Sequence, residues 1–339
     1  PVLFGTISAP PTTPGDARFD SAADGTRRLV LQRERPGAIS GVGGMGREAD
    51  LLATAAAAGV PVASVVATDL GAERRNDELG APFIVMERVD GETIPRRILR
   101  DDALSPARPL LVGQAASALA ALHRIDPDAV DGLDETDQIE QFADLLDLLG
   151  EPHPAFELAL RRLEQQRREP RRRAIVHGDF RLGNLIVGPE GLRAVLDWEL
   201  AHLGDPVEDL GWFCVRAWRF GSTLAAGGLG TAEDLLDAYA AAGGEPVSLS
   251  ELRWWEALGT LKWGVMCVIQ ASTHLSGASR SVELAAIGRR TAENEEDVLE
   301  LLFGPSDYEP GPAAVASDRL EVAPHDRPTS AELLDAVGE

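Results

Sequence analysis

The segment HGDFRLGN sets Asp179 behind His177 and Gly178, and Asn184 stands five residues further on. A second aspartate, Asp197, ends the next apolar run. Polar groups locked between apolar β-type runs are costly to bury, so their recurrence in one segment calls for a chemical reason. The residue types suit phosphoryl transfer. A hydroxyl attacking the γ-phosphorus needs a carboxylate that positions it and accepts its proton, while hard oxygen ligands hold Mg2+ across the leaving phosphates. On that chemistry Asp179 positions the nucleophile, and Asn184 and Asp197 bind the metal, at the Asp-to-Asn spacing of a phosphotransferase catalytic loop. His177 reads as a structural residue that hydrogen-bonds the loop backbone. Asp205 and Asp209 fit the acidic start of a helix, and Glu199, beside Asp197, is also read as a solvent-facing acid.

These residues sit on a hairpin of two short apolar runs, NLIVG and RAVLDW, split by the turn Pro189-Glu190-Gly191. Before it, up to about residue 90, apolar β-type runs at 2–7, ARFDSA, RRLVLQR and APFIVMERV are separated by Pro-Gly and Asp-Gly turns. One Ala-rich helix, MGREADLLATAAAAG, closes at Gly59. Beyond residue 91 helices dominate. Ser105 and Pro106 are expected to cap a helix running to about Ile125, with others near 139–149, 154–168, 231–242, 248–275 and 280–303. The expected fold class is α+β in two lobes: residues 1–90 a small β-rich lobe with one main helix, 91–304 a larger helical lobe. Residues 305–339 read as a linker and the start of an appended helical segment.

Composition excludes several functions. The formal net charge is -23, and nucleic-acid binding requires a basic face, so no nucleic-acid partner is expected. The one basic block, Arg161 to Arg173, is broken by Glu164, Glu169 and Pro170 and reads as a solvated helix end and loop. There is a single lysine, Lys262, against 31 arginines. Cys214 and Cys267 lie far apart in apolar segments, which suits buried thiols in a reducing compartment. No signal segment and no membrane-spanning run are evident, and the expected location is cytoplasmic. Gly41, Gly43 and Gly46 match the dinucleotide fingerprint, but no strand runs directly into Gly41, so the stretch reads as a loop entering a helix.

His-Gly-Asp followed by Asp197-Trp198, with PFIVMERVDG and VLDWELAHLGDPVEDLGW, resembles the aminoglycoside phosphotransferase and choline-kinase-like family, small-molecule kinases on the protein-kinase fold. The bacterial branch similar to the kinase-like part of certain acyl-CoA dehydrogenases is the nearer likeness, over roughly residues 20 to 303. The resemblance implies ATP and Mg2+ as cofactors and a small-molecule hydroxyl as substrate. It also implies adenine held by the main chain at Glu87 and Val89, and Asp209 anchoring the catalytic loop from beneath. Glu48 would pair with a basic residue on LVLQR that touches the phosphates. There the sequence departs: the matching position holds Gln32, and Arg33, next to it and on the opposite side of a regular strand, is the expected stand-in for the cation at Glu48 and the phosphates, reached through a strand twist or bulge. The phosphate-covering loop departs too, offering Ser8, Thr12, Thr13 and Gly15 among several prolines.

The leading expectation is an ATP- and Mg2+-dependent small-molecule kinase acting on an aminoglycoside-like or hydroxyacyl-type substrate. A degenerate kinase-like protein that binds nucleotide or metabolite without turnover is the alternative that Gln32 favours. A metal-dependent hydrolase ranks third, because no His-rich cluster completes such a site.

Overall fold

The structure is a computed structural model that describes residues 2–8, 26–33, 44–68, 82–169 and 171–304. Those of them up to Phe303 form one compact unit, and it is α+β with two lobes. ARFDSA, Thr12, Thr13, Gly15, Gly41, Gly43 and the stretch from 305 lie outside the described residues.

The small lobe is a four-stranded antiparallel sheet in the order β1-β2-β4-β3, crossed by one helix. Its elements are β1 (Val2–Ser8), β2 (Thr26–Arg33), α1 (Gly44–Ala57), β3 (Val65–Thr68) and β4 (Phe83–Glu87). Strand β2 pairs with β4 in the register Leu29 to Glu87 and Gln32 to Ile84. Helix α1 buries Leu51, Leu52 and Ala55 and turns at Gly59, where φ is +88° and the Val60 N–H returns to Ala55 O. Strand β3 was not expected. It is four half-exposed residues at the sheet edge with an irregular register against β4, too short and too exposed to show a period-2 pattern.

The larger lobe begins with α2 (Pro95–Arg100) and α3 (Arg108–His123). Ser105 does not cap α3; it follows a 3-10 turn over Asp102–Leu104, and Ala107 holds the N-cap position without a side-chain bond. Pro at the next-but-one position supplies the fixed φ instead. Helices α4 (Gln138–Leu149) and α5 (Pro154–Gln165) come next. After the hairpin region come α6 (Val207–Cys214), α7 (Ala232–Ala241), α8 (Leu249–Leu275), α9 (Val282–Gly288) and α10 (Thr291–Phe303). Capping boxes at Thr231/Asp234 and Ser248/Glu251 open α7 and α8. The helix expected over 280–303 is two helices, parted at Arg289 and Arg290. Gly288 lies so close to α8 that a Cβ there would stand 2.6 Å from Ala271 Cβ, and the chain turns away at that contact.

Between α5 and α6 run two strand pairs, β5 (Ala174–Val176) with β8 (His202–Gly204), and β6 (Leu185–Gly188) with β7 (Gly191–Val195). The hairpin β6–β7 matches the sequence expectation; the β5–β8 pairing joins segments too far apart in sequence to be read from it. Residues 177–184 connect β5 to β6 and 196–201 connect β7 to β8, so both polar segments emerge from the same pair of ladders. The link between the lobes is tied to this hairpin, since Glu92 and Val187 exchange backbone hydrogen bonds of 2.9 and 3.0 Å. The basic block spends its arginines on neighbouring acids: Arg167 on Asp137 and Glu164, Arg171 on Glu251, Arg173 on Asp128 and Glu135. Cys214 and Cys267 are free and buried, and burial pushes Cys267 up to about 12. Among the described residues no helix is long and apolar enough to cross a membrane.

Candidate active site

Gly178 has φ +77°, and a Cβ there would meet Leu200 O at 2.4 Å, so glycine is required for the loop to turn beneath Leu200. Asp209, fully buried on α6, accepts the His177 N–H at 2.8 Å and the Gly178 N–H at 3.0 Å. Behind it His123 Nε2 lies 3.1 Å from Asp209 and its Nδ1 lies 2.9 Å from Tyr239 Oη. His177 is itself fully buried; its Nε2 bonds Leu196 O at 3.0 Å and its Nδ1 accepts the Asp179 N–H at 3.2 Å. Burial lowers its pKa, so the ring is neutral and tautomerically fixed between those two partners. These contacts fix the backbone on which Asp179 stands.

The Asp179 carboxylate is buried and accepts three side-chain donors. Trp212 Nε1 reaches Oδ1 at 2.9 Å, Asn184 Nδ2 reaches Oδ2 at 2.7 Å, and Arg181 Nε lies 3.0 and 3.1 Å from the two oxygens. Asn184 Nδ2 also bonds Asp179 O at 2.9 Å. With its NH2 group so committed, Asn184 keeps Oδ1 as a lone-pair donor. Asp197 takes a positive φ of 66°, a conformation that L residues other than Asn and Asp seldom adopt. Desolvation, with the charges of Glu199 and Asp179 nearby, pushes its pKa up to about 6 although the side chain reaches solvent.

On the small lobe the Gln32 side-chain amide donates to both oxygens of Glu48, at 3.0 and 3.1 Å. Arg33 makes no ion pair with Glu48, and its buried Nε has no hydrogen-bond partner. The expectation that Arg33 replaces the missing cation at Glu48 is therefore corrected: strand alternation points Gln32, not Arg33, at α1. Burial, together with Asp197 and Glu199, raises Glu48 to about 6 against the opposing Gln32 bond. Glu87 ends β4, its N–H bonded to Ser64 O at 2.9 Å, and Val89 lies two residues on in the connection between the lobes.

The site thus unites Asp179 and Asn184 by direct contact, and brings Asp197, Glu199 and Glu48 within electrostatic reach of one another. Sequence reasoning missed Arg181. Its position two residues after Asp179 was the available signal, and it also stacks over Trp218 at 4.9 Å. Trp212, on α6, is also a donor to Asp179. As a test of fit for Mg2+, Asn184 Oδ1 and the Asp197 carboxylate are hard oxygen donors, and the desolvation of Asp197, to which the charges of Glu199 and Asp179 add, is a cost that a bound cation would offset. Among the described residues no group of three or more His, Cys, Asp or Glu is placed to hold a metal ion.

Fold and site together define a kinase-like protein of two lobes. A model of the phosphotransferase enzyme family matches residues 15–258, and the chain belongs to that family. Mouse acyl-CoA dehydrogenase family member 10 is 31% identical over 204 residues, 56% of this chain and 18% of the relative. The chain thus spans about a fifth of that relative. A Ralstonia eutropha structure assigned to the aminoglycoside phosphotransferases has a TM-score of 0.65 at 24% identity, covering 89% of this chain and 92% of its own. A thermostable mutant of aminoglycoside phosphotransferase APH(4)-Ia, in ternary complex with AMP-PNP and hygromycin B, has a TM-score of 0.55 at 17% identity, covering 82% and 88%. These likenesses carry the fold.

Proposed function

We propose that the protein is a small-molecule kinase that transfers the γ-phosphoryl group of ATP to a hydroxyl. The observation that carries this is the Asp179 carboxylate, buried and oriented by three donors, Asn184 among them. In this reading Asp179 orients the acceptor hydroxyl and takes its proton at a carboxylate oxygen. Asn184 and Asp197 hold Mg2+, which when bound neutralises charge on the phosphates. The main chain at Glu87 and Val89 holds adenine, and Asp209 and His177 keep the loop in register.

The acceptor we favour is a hydroxylated acyl group. Support comes from the matched relative, whose name places it in the acyl-CoA dehydrogenase family, and from the surroundings of Asp179. Trp212, Trp218 and Trp263 make tilted ring contacts at 5.3 and 4.8 Å, and the buried Trp212 donates to Asp179, so the carboxylate is backed by apolar aromatic surface. Arg181 covers Trp218, taking an aromatic face that a cationic sugar would use. The test is ADP release against a panel of hydroxyacyl thioesters, hydroxy acids and aminoglycosides. Acceptor-dependent ADP formation with a hydroxyacyl compound is expected; a response to aminoglycosides alone overturns the substrate class.

A second reading rests on Gln32. A neutral amide on Glu48 supplies no charge to phosphates, so a nucleotide-binding protein without turnover is the competing function. Nucleotide-induced thermal stabilisation without ADP release from any acceptor would select it.

A further inference from the structure

In a chain that uses arginine 31 times and lysine once, Lys262 occupies a position that the mechanism above leaves unused. It lies on α8 and is buried, with 8% exposure. Its Nζ donates to Gly178 O at 2.9 Å and faces Glu208 at 3.4 Å. It also stands 4.7 Å over the ring of Trp212, the indole that donates to Asp179. Glu208 is held in turn by His202 at 3.0 Å and Gln138 at 2.6 Å. Burial opposes its ionisation, but His202 and Lys262 outweigh that and hold it at about 2. Asp209 accepts the N–H groups of His177 and Gly178, and Lys262 donates to the Gly178 carbonyl, so both hold the start of the catalytic loop.

We infer that Lys262 is a positioning residue: by holding the Gly178 carbonyl and the Trp212 ring at once, it sets the direction in which Asp179 presents its carboxylate. An arginine fork would bring several coplanar donors into a space shaped for one carbonyl, one carboxylate and one ring face, which accounts for lysine at this position. Helices α6 and α8 approach closely on this side, since a Cβ at Gly211 would lie 2.5 Å from Trp255 Cβ and one at Gly259 3.3 Å from Trp212 Cε3.

The catalytic meaning of this assignment rests on the kinase reading, so the test has one readout within that reading and one outside it. Removing Lys262 alone would leave Glu208 buried and short of a partner, and the comparison is therefore between Glu208→Gln and the double variant Glu208→Gln/Lys262→Met. Both are expected to fold, Glu208→Gln with the lower melting temperature because it leaves the buried Lys262 ammonium without its carboxylate. The double variant is expected to lose roughly 10–100-fold in kcat relative to Glu208→Gln, the usual scale for a misplaced reacting group, with the KM for ATP within about threefold. Equal kcat in the two variants would overturn the assignment. The second readout is the side-chain amide NMR signal of Asn184, one of three asparagines, which touches Asp179 and not Lys262. A displaced Asn184 signal in the double variant supports the assignment even if the wild-type protein transfers no phosphate and the kinase reading falls. An unmoved signal refutes it whatever the turnover.

Discussion

Asp179 is the residue on which the proposed chemistry depends, and its replacement separates binding from transfer. Asp179→Asn preserves shape and one acceptor oxygen, sets an NH2 against the donors that met the other, and removes the proton acceptor. We expect kcat to fall by about 10²–10⁴, with nucleotide affinity measured by calorimetry nearly unchanged. Near-normal turnover would remove Asp179 from its role. Gln32 poses the opposite question, what a missing charge does. Because the folded protein holds the Glu48 proton more tightly than the unfolded chain, this carboxyl favours folding below its ordinary value of 4.5, and the contribution is lost as pH rises through about 6. The ionised form at neutral pH thus costs on the order of 2 kcal/mol. Gln32→Arg places a cation on Glu48 and pulls its pKa down. The variant's gain in Tm is expected to be larger near about pH 8 than near about pH 5, and ATP binding to tighten roughly tenfold. A Tm gain independent of pH would mean that the introduced guanidinium does not meet Glu48.

Helix α6 is the element that holds the site together, since Glu208, Asp209 and Trp212 all lie on it. It packs on α8 at Gly211, where an added Cβ would stand 2.6 Å from Trp255 C and 2.8 Å from Glu256 N, both backbone atoms. Backbone cannot rotate aside. Gly211→Ala therefore forces the helices apart, at ~1–3 kcal/mol, the usual scale of overpacking. A lower urea midpoint is expected together with a reduced kcat, because Asp209 and Trp212 move with α6 away from the catalytic loop. Wild-type kcat in the folded fraction would show that the loop keeps its own shape. Gly178 illustrates the same constraint within the loop, where the positive φ and the approach of Leu200 O exclude a side chain.

At the scale of the whole molecule, a net charge of -23 implies self-repulsion in the compact state. Many arginines already answer acids on neighbouring elements, as Arg171 does Glu251 and Arg216 does Asp297. Exposed pairs of this kind contribute little each, so the unbalanced acids decide the salt response. We expect Tm to rise as ionic strength is raised from about 0.01 M to about 0.15 M, where the screening length falls from ~30 to ~8 Å. A falling Tm in differential scanning calorimetry would show that the ion pairs outweigh the repulsion.

The sequence by itself determined the catalytic spacing, because Asp179, Asn184 and Asp197 stand on one local hairpin whose apolar runs and Pro-Glu-Gly turn are written contiguously. It also determined most helices of the larger lobe, through apolar periodicity and caps that act over a few residues. Alternation along β2 likewise put Gln32 and Arg33 on opposite faces. Which of the two meets Glu48 was decided only when α1 packed against the sheet. The same holds for the β5–β8 pairing, the break of the last helix at its contact with Ala271, and Lys262 beneath Gly178, residues 84 positions apart. Such contacts depend on side-chain volumes and backbone approach between distant elements, and no local pattern in the chain encodes them.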